Sequence, residues 1–129
     1  MGQPAASQGD RIVATDMHLI QPPTASPPAP VPHPFIGVLN GGLSPDVLIA
    51  GKPAATLRST ATNTPPHVPI GGTFVTPPSN QATIIVGSAT VLINGKPAAR
   101  HGDLATTCND PVDLPAGSVV AASTVLIGP

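Results

Sequence analysis

The side chains with the greatest chemical reach in this sequence are one cysteine, Cys108, and four histidines, His18, His33, His67 and His101. A thiolate with neutral imidazoles is the donor set zinc prefers, held in a tetrahedron at about 2.3 Å to sulfur and 2.0 Å to nitrogen. No two of them show zinc-finger spacing, so their distribution along the chain carries the signal. His18 and His33 fall in the first interval between apolar runs, His67 in the second and Cys108 in the third. Prolines flank His33 in Pro32-His33-Pro34 and surround His67 in Pro65-Pro66-His67-Val68-Pro69, stiffening the backbone that presents both rings.

Those intervals need elements that bring them together, and the chain supplies a repeat. Val47–Ala55 reads VLIAGKPAA, Val91–Ala99 reads VLINGKPAA, and Val125–Pro129 ends the chain with VLIGP. The first two copies start 44 residues apart, the second and third 34. Self-similarity of this kind predicts a fold built by repetition about an axis. If the repeats surround that axis, their loops converge at one end, and His18, His33, His67 and Cys108 meet there around one ion. His101 follows Arg100 at the far end of the repeat and is read as lying outside. Asp10, Asp16, Asp103 and Asp110 read as turn and capping residues.

Composition narrows the fold class to all-β. With 19 prolines and 13 glycines in 129 residues, long helices are excluded, since an interior proline costs roughly 3 kcal/mol. Disorder is opposed by the β-branched runs Thr83–Val86, Ala89–Ile93 and Ser118–Ile127. Phe35 and Phe74 are the only aromatic residues, so the core is thin and made of Ala, Val, Ile and Leu. Strands are expected at Arg11–Val13, at Phe35–Leu39 paired with Val47–Ala50, at Thr83–Val86 paired with Ala89–Ile93, and as a last pair within Ser118–Ile127. Gln21–Pro34, with seven prolines, is expected to be an extended surface loop that joins no ladder. Asn94-Gly95 is the strongest two-residue hairpin turn.

The same inventory bounds function. A net charge of −1 without a basic cluster excludes nucleic acid as a partner. The start, MGQPAASQGDR, lacks the features of a secretory signal, so synthesis is expected in the cytoplasm and any export by a route that reads no such signal. One cysteine forbids an intrachain disulfide, so a staple for so thin a core has to be a metal.

Pro97-Ala98-Ala99-Arg100 followed by Gly102-Asp103, with its two partial copies, resembles the PAAR-repeat family over essentially the whole chain. Members of that family cap the spike of type VI secretion systems and related contractile injection machines. The resemblance implies one domain over residues 1–129, a short cone with pseudo-threefold strand repeats and no appended effector domain. It also implies one structural zinc at the apex, bound by three His and one Cys. Thr15-Asp16-Met17-His18 matches the family's Gly-Asp-Met-His, and Val31-Pro32-His33 its Val-Pro-His. Cys108 stands where the last ligand falls, and His67 completes the set. Three departures stand out: the first copy ends PAAT at Thr56, Arg58-Ser59 replaces Gly-Asp, and the third copy is cut short. They leave His101 as the alternative to His67.

The function so implied is mechanical: a monomeric cap, without catalysis, seated on a trimeric spike of the VgrG kind and delivered as the tip that pierces the target envelope, with a separate effector as a possible cargo. Two other readings compete. A zinc hydrolase with an open coordination position lacks any glutamate base and is expected to lack a substrate pocket. A Pro-rich adaptor would need Gln21–Pro34 to be mobile.

Overall fold

Alternation at period two decides the architecture. Thr60–Asn63 and Leu104–Thr107 bury every second residue, Ala61 and Asn63 in one, Ala105 and Thr107 in the other, so each presents one face to a shared interior. The computed structural model describes residues 2–129 and contains thirteen strands and no helix among them. In chain order these are β1 (Gln3–Pro4), β2 (Arg11–Gln21), β3 (Ala29–Gly41), β4 (Leu48–Ile49), β5 (Lys52–Pro53), β6 (Thr60–Asn63) and β7 (Thr73–Phe74). They continue with β8 (Gln81–Ile84), β9 (Leu92–Ile93), β10 (Lys96–Pro97), β11 (Leu104–Thr107), β12 (Leu114–Val120) and β13 (Leu126–Ile127).

Six strands close into a barrel in the order β12-β11-β8-β6-β3-β2, with β12 returning to β2 through Ser118↔Val13, Val119↔Ile12 and Val120↔Arg11. The barrel is three antiparallel pairs, β2–β3, β6–β8 and β11–β12, each contributed by one repeat. Closure removes the strand edges that would otherwise invite foreign pairing. Ile12, Leu39, Ile84 and Val119 fill the interior with a layer of alanines and with Phe35, the largest fully buried side chain. Gly37 makes room for that ring, because a Cβ there would lie 2.7 Å from it.

The repeated VLI…PAA segments form three small antiparallel pairs at one end, two of them hairpins. β4–β5 and β9–β10 turn through Ala50-Gly51 and Asn94-Gly95, all four with positive φ (51°, 83°, 53° and 77°). The third pair is β13 with β1, antiparallel like the others but with no turn between them, through Gln3↔Ile127 and Pro4↔Leu126. The third copy is therefore not cut short. Its PAA half is Pro4-Ala5-Ala6, at the other end of the sequence.

On the axis the three copies are tied in a ring. The N–H of Ala6 donates to the carbonyl of Ala99 at 3.0 Å, Ala99 to Ala55 at 3.0 Å, and Ala55 back to Ala6 at 2.9 Å. Three backbones meet this closely only where side chains are as small as Ala, and all three residues are buried. Beneath them Ala5, Ala54 and Ala98 pack with Ile49, Ile93 and Ile127 as a second apolar layer.

Each PAA runs into the barrel through the same turn. The carboxylates of Asp10 and Asp103 accept the N–H of Ser7 and Arg100 at 2.8 Å, and Gly9 and Gly102 take φ of 89° and 88°. Arg58-Ser59 substitutes for Gly-Asp in the remaining copy. Arg58 adopts φ 77°, while the Ser59 hydroxyl accepts the Thr56 N–H at 2.9 Å and donates to the Gly42 carbonyl at 2.8 Å.

Several pairings expected from sequence are overturned. Phe35–Leu39 does not pair with Val47–Ala50, Thr83–Val86 does not pair with Ala89–Ile93, and Ser118–Ile127 is not a strand pair. In each case the apolar run belongs partly to the barrel and partly to a VLI pair, and the hydrophobic pattern does not mark the division. The Pro-rich stretch is also not a free loop, since Ala29–Pro34 pairs with β2 from Ile20↔Ala29 to Thr15↔Pro34. Pro30, Pro32 and Pro34 occupy alternate positions, so their missing N–H groups all fall on the side away from β2. Ile36, two residues further in the same phase, sends its N–H to Asn63 at 2.9 Å on that side.

Candidate metal centre

β2 and β3 run on past the barrel as a hairpin, so the structure narrows toward this end. The inward phase of β2 that buries Ile12 continues through Asp16, His18 and Ile20. In β3 the inward phase gives His33 and Phe35, and His33 stands directly opposite Asp16. His67 arrives on the segment between β6 and β7, its N–H accepted by the Asn80 side chain at 2.8 Å. Cys108 follows immediately after β11 and joins the top of the barrel core.

One donor atom from each of Asp16, His18, His67 and Cys108 lies within 4.8 Å of the others. Cys108 Sγ is 3.7 Å from His18 Nε2 and 3.4 Å from Asp16 Oδ2, and His67 Nε2 is 2.8 Å from the same Asp16 oxygen. His33 packs against this group without joining it, its ring centroid 5.5 Å from that of His18 and 5.6 Å from that of His67. Its Nδ1 lies 2.8 Å from the Val31 carbonyl, and its Nε2 is 3.3 Å from the Ile70 N–H. The side chains of Asp16, His18, His33, His67 and Cys108 are all no more than 3% exposed. His101 is exposed and remote, at a repeat turn, where Nδ1 accepts the Ala121 N–H at 3.1 Å.

Asp16 is not a turn or capping residue. It is the centre of the polar network, with Oδ1 accepting from Thr107 Oγ1 at 2.5 Å and from Asn109 Nδ2 at 3.4 Å. Its spacing of two from His18, which puts both on one face of a strand, was the available signal. Asp110 is likewise no simple turn residue. It lies against β2, with Oδ2 2.8 Å from the Leu19 N–H and 3.4 Å from His18 Nδ1.

The residues fit a divalent ion. A tetrahedral zinc with these bond lengths has ligand-to-ligand separations of roughly 3.3–3.8 Å, which the Cys108–His18 spacing already meets. Burial, with the Asp16 carboxylate adding to it, pushes the Cys108 thiol up to about 11. Burial and the neighbouring His67 lower the pKa of His18, favouring the neutral imidazole that metals require. A cation inverts the thiol's preference by stabilising the thiolate. Access is provided by a cleft of about 190 Å³ lined in part by His18, Cys108 and Asp110. A second cleft, of about 300 Å³ and mostly apolar, borders His33 and His67.

A family model described as the PAAR motif matches the chain over residues 24–113 and again over 75–128. No curated protein matches it.

Proposed function

Because the chain belongs to the PAAR motif family, we propose that it is the cap of a contractile injection machine's spike, with mechanical rather than chemical work to do. The family is a structural one. The observation that carries the reading is the hydrogen-bonded ring of Ala6, Ala55 and Ala99, which gives a single chain a threefold axis. A chain with three internal copies meets a homotrimer with matched contacts at every copy.

Leu48, Leu92 and Leu126 support this reading. They occupy equivalent positions in the three antiparallel pairs and are 59–61% exposed, an apolar triad at the end opposite the metal ligands. The proposed partner is a trimeric spike protein of the VgrG kind, dried against these leucines, with an effector as a further passenger. The cap itself is a monomer, made in the cytoplasm and carried out at the tip of the apparatus.

Zinc is the proposed ion, held by His18, His33, His67 and Cys108. Closed structural sites favour imidazole and thiolate, and a shell of three neutral imidazoles and one thiolate leaves a net positive charge for the buried Asp16 to neutralise. To join, His33 has to release the 3.3 Å contact with Ile70 and move its ring toward the other donors. The ion, when bound, supplies stiffness where the hairpin has outrun the hydrophobic core, contributing on the order of 10 kcal/mol.

The test is binding of the purified protein to a purified spike trimer. Micromolar or tighter association is expected for the wild type, and loss of it for the triple variant Leu48→Glu, Leu92→Glu, Leu126→Glu with folding intact. A wild type that fails to associate sinks the docking reading.

A further inference from the structure

We propose that Asp110 is a positioning residue for His18, holding its imidazole as the Nδ1–H tautomer so that Nε2 is the atom presented to the ion. The inference rests on the metal site proposed above and names a part of it that no ligand pattern contains. Its starting point is an orphan: His18 Nδ1 is buried and has no hydrogen-bond partner. Asp110 Oδ2 lies 3.4 Å from it, while Nε2 faces Cys108 Sγ at 3.7 Å on the other side of the ring.

Asp110 is held in place by bonds that do not involve His18. On the edge of β2 turned away from β3, β12 covers Arg11–Val13 and β7 covers Ile20 and Gln21, leaving the middle of the strand unpaired. The segment after Cys108 fills that gap. Asn109 Oδ1 accepts the Met17 N–H at 2.7 Å, the Asp110 N–H donates to the Met17 carbonyl at 2.8 Å, and Asp110 Oδ2 accepts the Leu19 N–H at 2.8 Å. Side chains and one backbone group thus imitate a strand. The carboxylate is fixed beside His18 by the same segment that delivers Cys108, so two ligands from distant parts of the chain are set by one docking event.

The chemistry follows from what a carboxylate does to a ligating imidazole. It can only accept from Nδ1, which forces the proton there and leaves the Nε2 lone pair free, and it raises the basicity of that lone pair. Closing the 3.4 Å separation to an ordinary hydrogen bond requires a shift of a few tenths of an ångström. Losing such a partner typically costs 10–100-fold in metal affinity.

The experiment uses the full chain as wild type, Asp110→Ala, Asp110→Asn and Ala55→Leu. Zinc affinity is read by chelator competition, and the His18 tautomer by ¹⁵N NMR with and without zinc. The expected result is an Nδ1–H tautomer with metallated Nε2 in the wild type. Asp110→Ala should bind zinc 10–100-fold more weakly and mix tautomers without zinc. Asp110→Asn, which keeps an acceptor, should restore the tautomer and most of the affinity. Ala55→Leu, on the axis away from the site, should lower thermal stability while leaving the tautomer in place.

Asp110→Ala with unchanged tautomer and affinity within twofold of wild type overturns the proposal, as does Ala55→Leu, a destabilising change remote from the site, scrambling the tautomer equally. Should Asp110→Ala fail to fold, zinc-loaded wild type still decides: metallation at Nδ1 overturns it. A wild type that binds no zinc refutes the metal reading and this proposal together, whereas tight binding indifferent to Asp110 refutes this proposal alone.

Discussion

Asp16 and His33 face each other directly across the β2–β3 ladder, and the two side chains share one buried surface with His18, His67 and Cys108. Five candidate donors are therefore gathered at one end, and Asp16, His18, His67 and Cys108 bring donor atoms within 4.8 Å of one another while His33 packs beside them. In the proposed site a tetrahedral zinc takes four of them, and the preference of closed sites for imidazole and thiolate is the ground for proposing Asp16 as the outer partner.

Replacing His18, His67 or Cys108 by Ala is expected to abolish stoichiometric zinc binding. His33→Ala should weaken it by at least tenfold, and Asp16→Asn should retain one equivalent of ion. Metal analysis of each purified variant checks this, and X-ray absorption of the wild type should count three imidazoles and one sulfur. Two imidazoles with an added oxygen would put Asp16 in the shell and His33 outside it.

Stability in excess chelator should depend on pH at both extremes. The Cys108 thiol is raised from 9.0 to about 11 in the folded state, so the unfolded chain loses its proton first. Its contribution is fully present below pH 9 and is lost as pH rises from 9 toward 11. For His18 the folded pKa is lowered from 6.5, so its contribution is present above pH 6.5 and is lost as pH falls below that value. Melting temperatures measured with chelator across this range should fall on both sides of a plateau near neutrality, and a flat profile from pH 5 to 10.5 would contradict both assignments.

Two residues occupy left-handed backbone that suits others better. Ala50 at φ 51° stands where the sister hairpin has Asn94, and Arg58 at φ 77° where the sister turns have Gly9 and Gly102. Since the left-handed region costs most L-residues roughly 1–2 kcal/mol, Ala50→Asn and Arg58→Gly should each stabilise the protein by about 0.5–1 kcal/mol. Urea denaturation is the check. Destabilisation by either would show that its side chain makes contacts that outweigh the backbone strain.

The alanine ring should tolerate no enlargement. Ala55→Leu inserts three carbons where three backbones meet, and overpacking of this kind costs about 1–3 kcal/mol, compounded here because the displaced strand carries a bond of the ring. Loss of thermal stability together with weaker spike binding is the expected outcome. A variant as stable as wild type would mean that the axis is looser than the 2.9–3.0 Å bonds indicate.

Much of this was legible in the sequence because it depends on short-range chemistry. Composition excluded helices, the VLI…PAA copies announced the threefold plan, Asn94-Gly95 fixed a turn, and the residue types of His18, His33, His67 and Cys108 pointed to a site that could hold a metal, of which His18, His67 and Cys108 come together with Asp16. What the one-dimensional pattern could not carry was partnership. Apolar runs such as Ser118–Ile127 divide between barrel and VLI pair at a point that hydrophobicity does not mark. The prolines at 30, 32 and 34 join a ladder because of their phase, which matters only once a neighbouring strand lies on one side. The third repeat is complete only when Pro4-Ala5-Ala6 meets Leu126 in space. Asp16 and Asp110 looked like turn residues until strand pairing turned one inward beside His18 and docked the other on the edge of β2. Residue type determined which chemistry was available. Only long-range backbone pairing, which the chain acquires by closing the barrel, decided which of those residues meet.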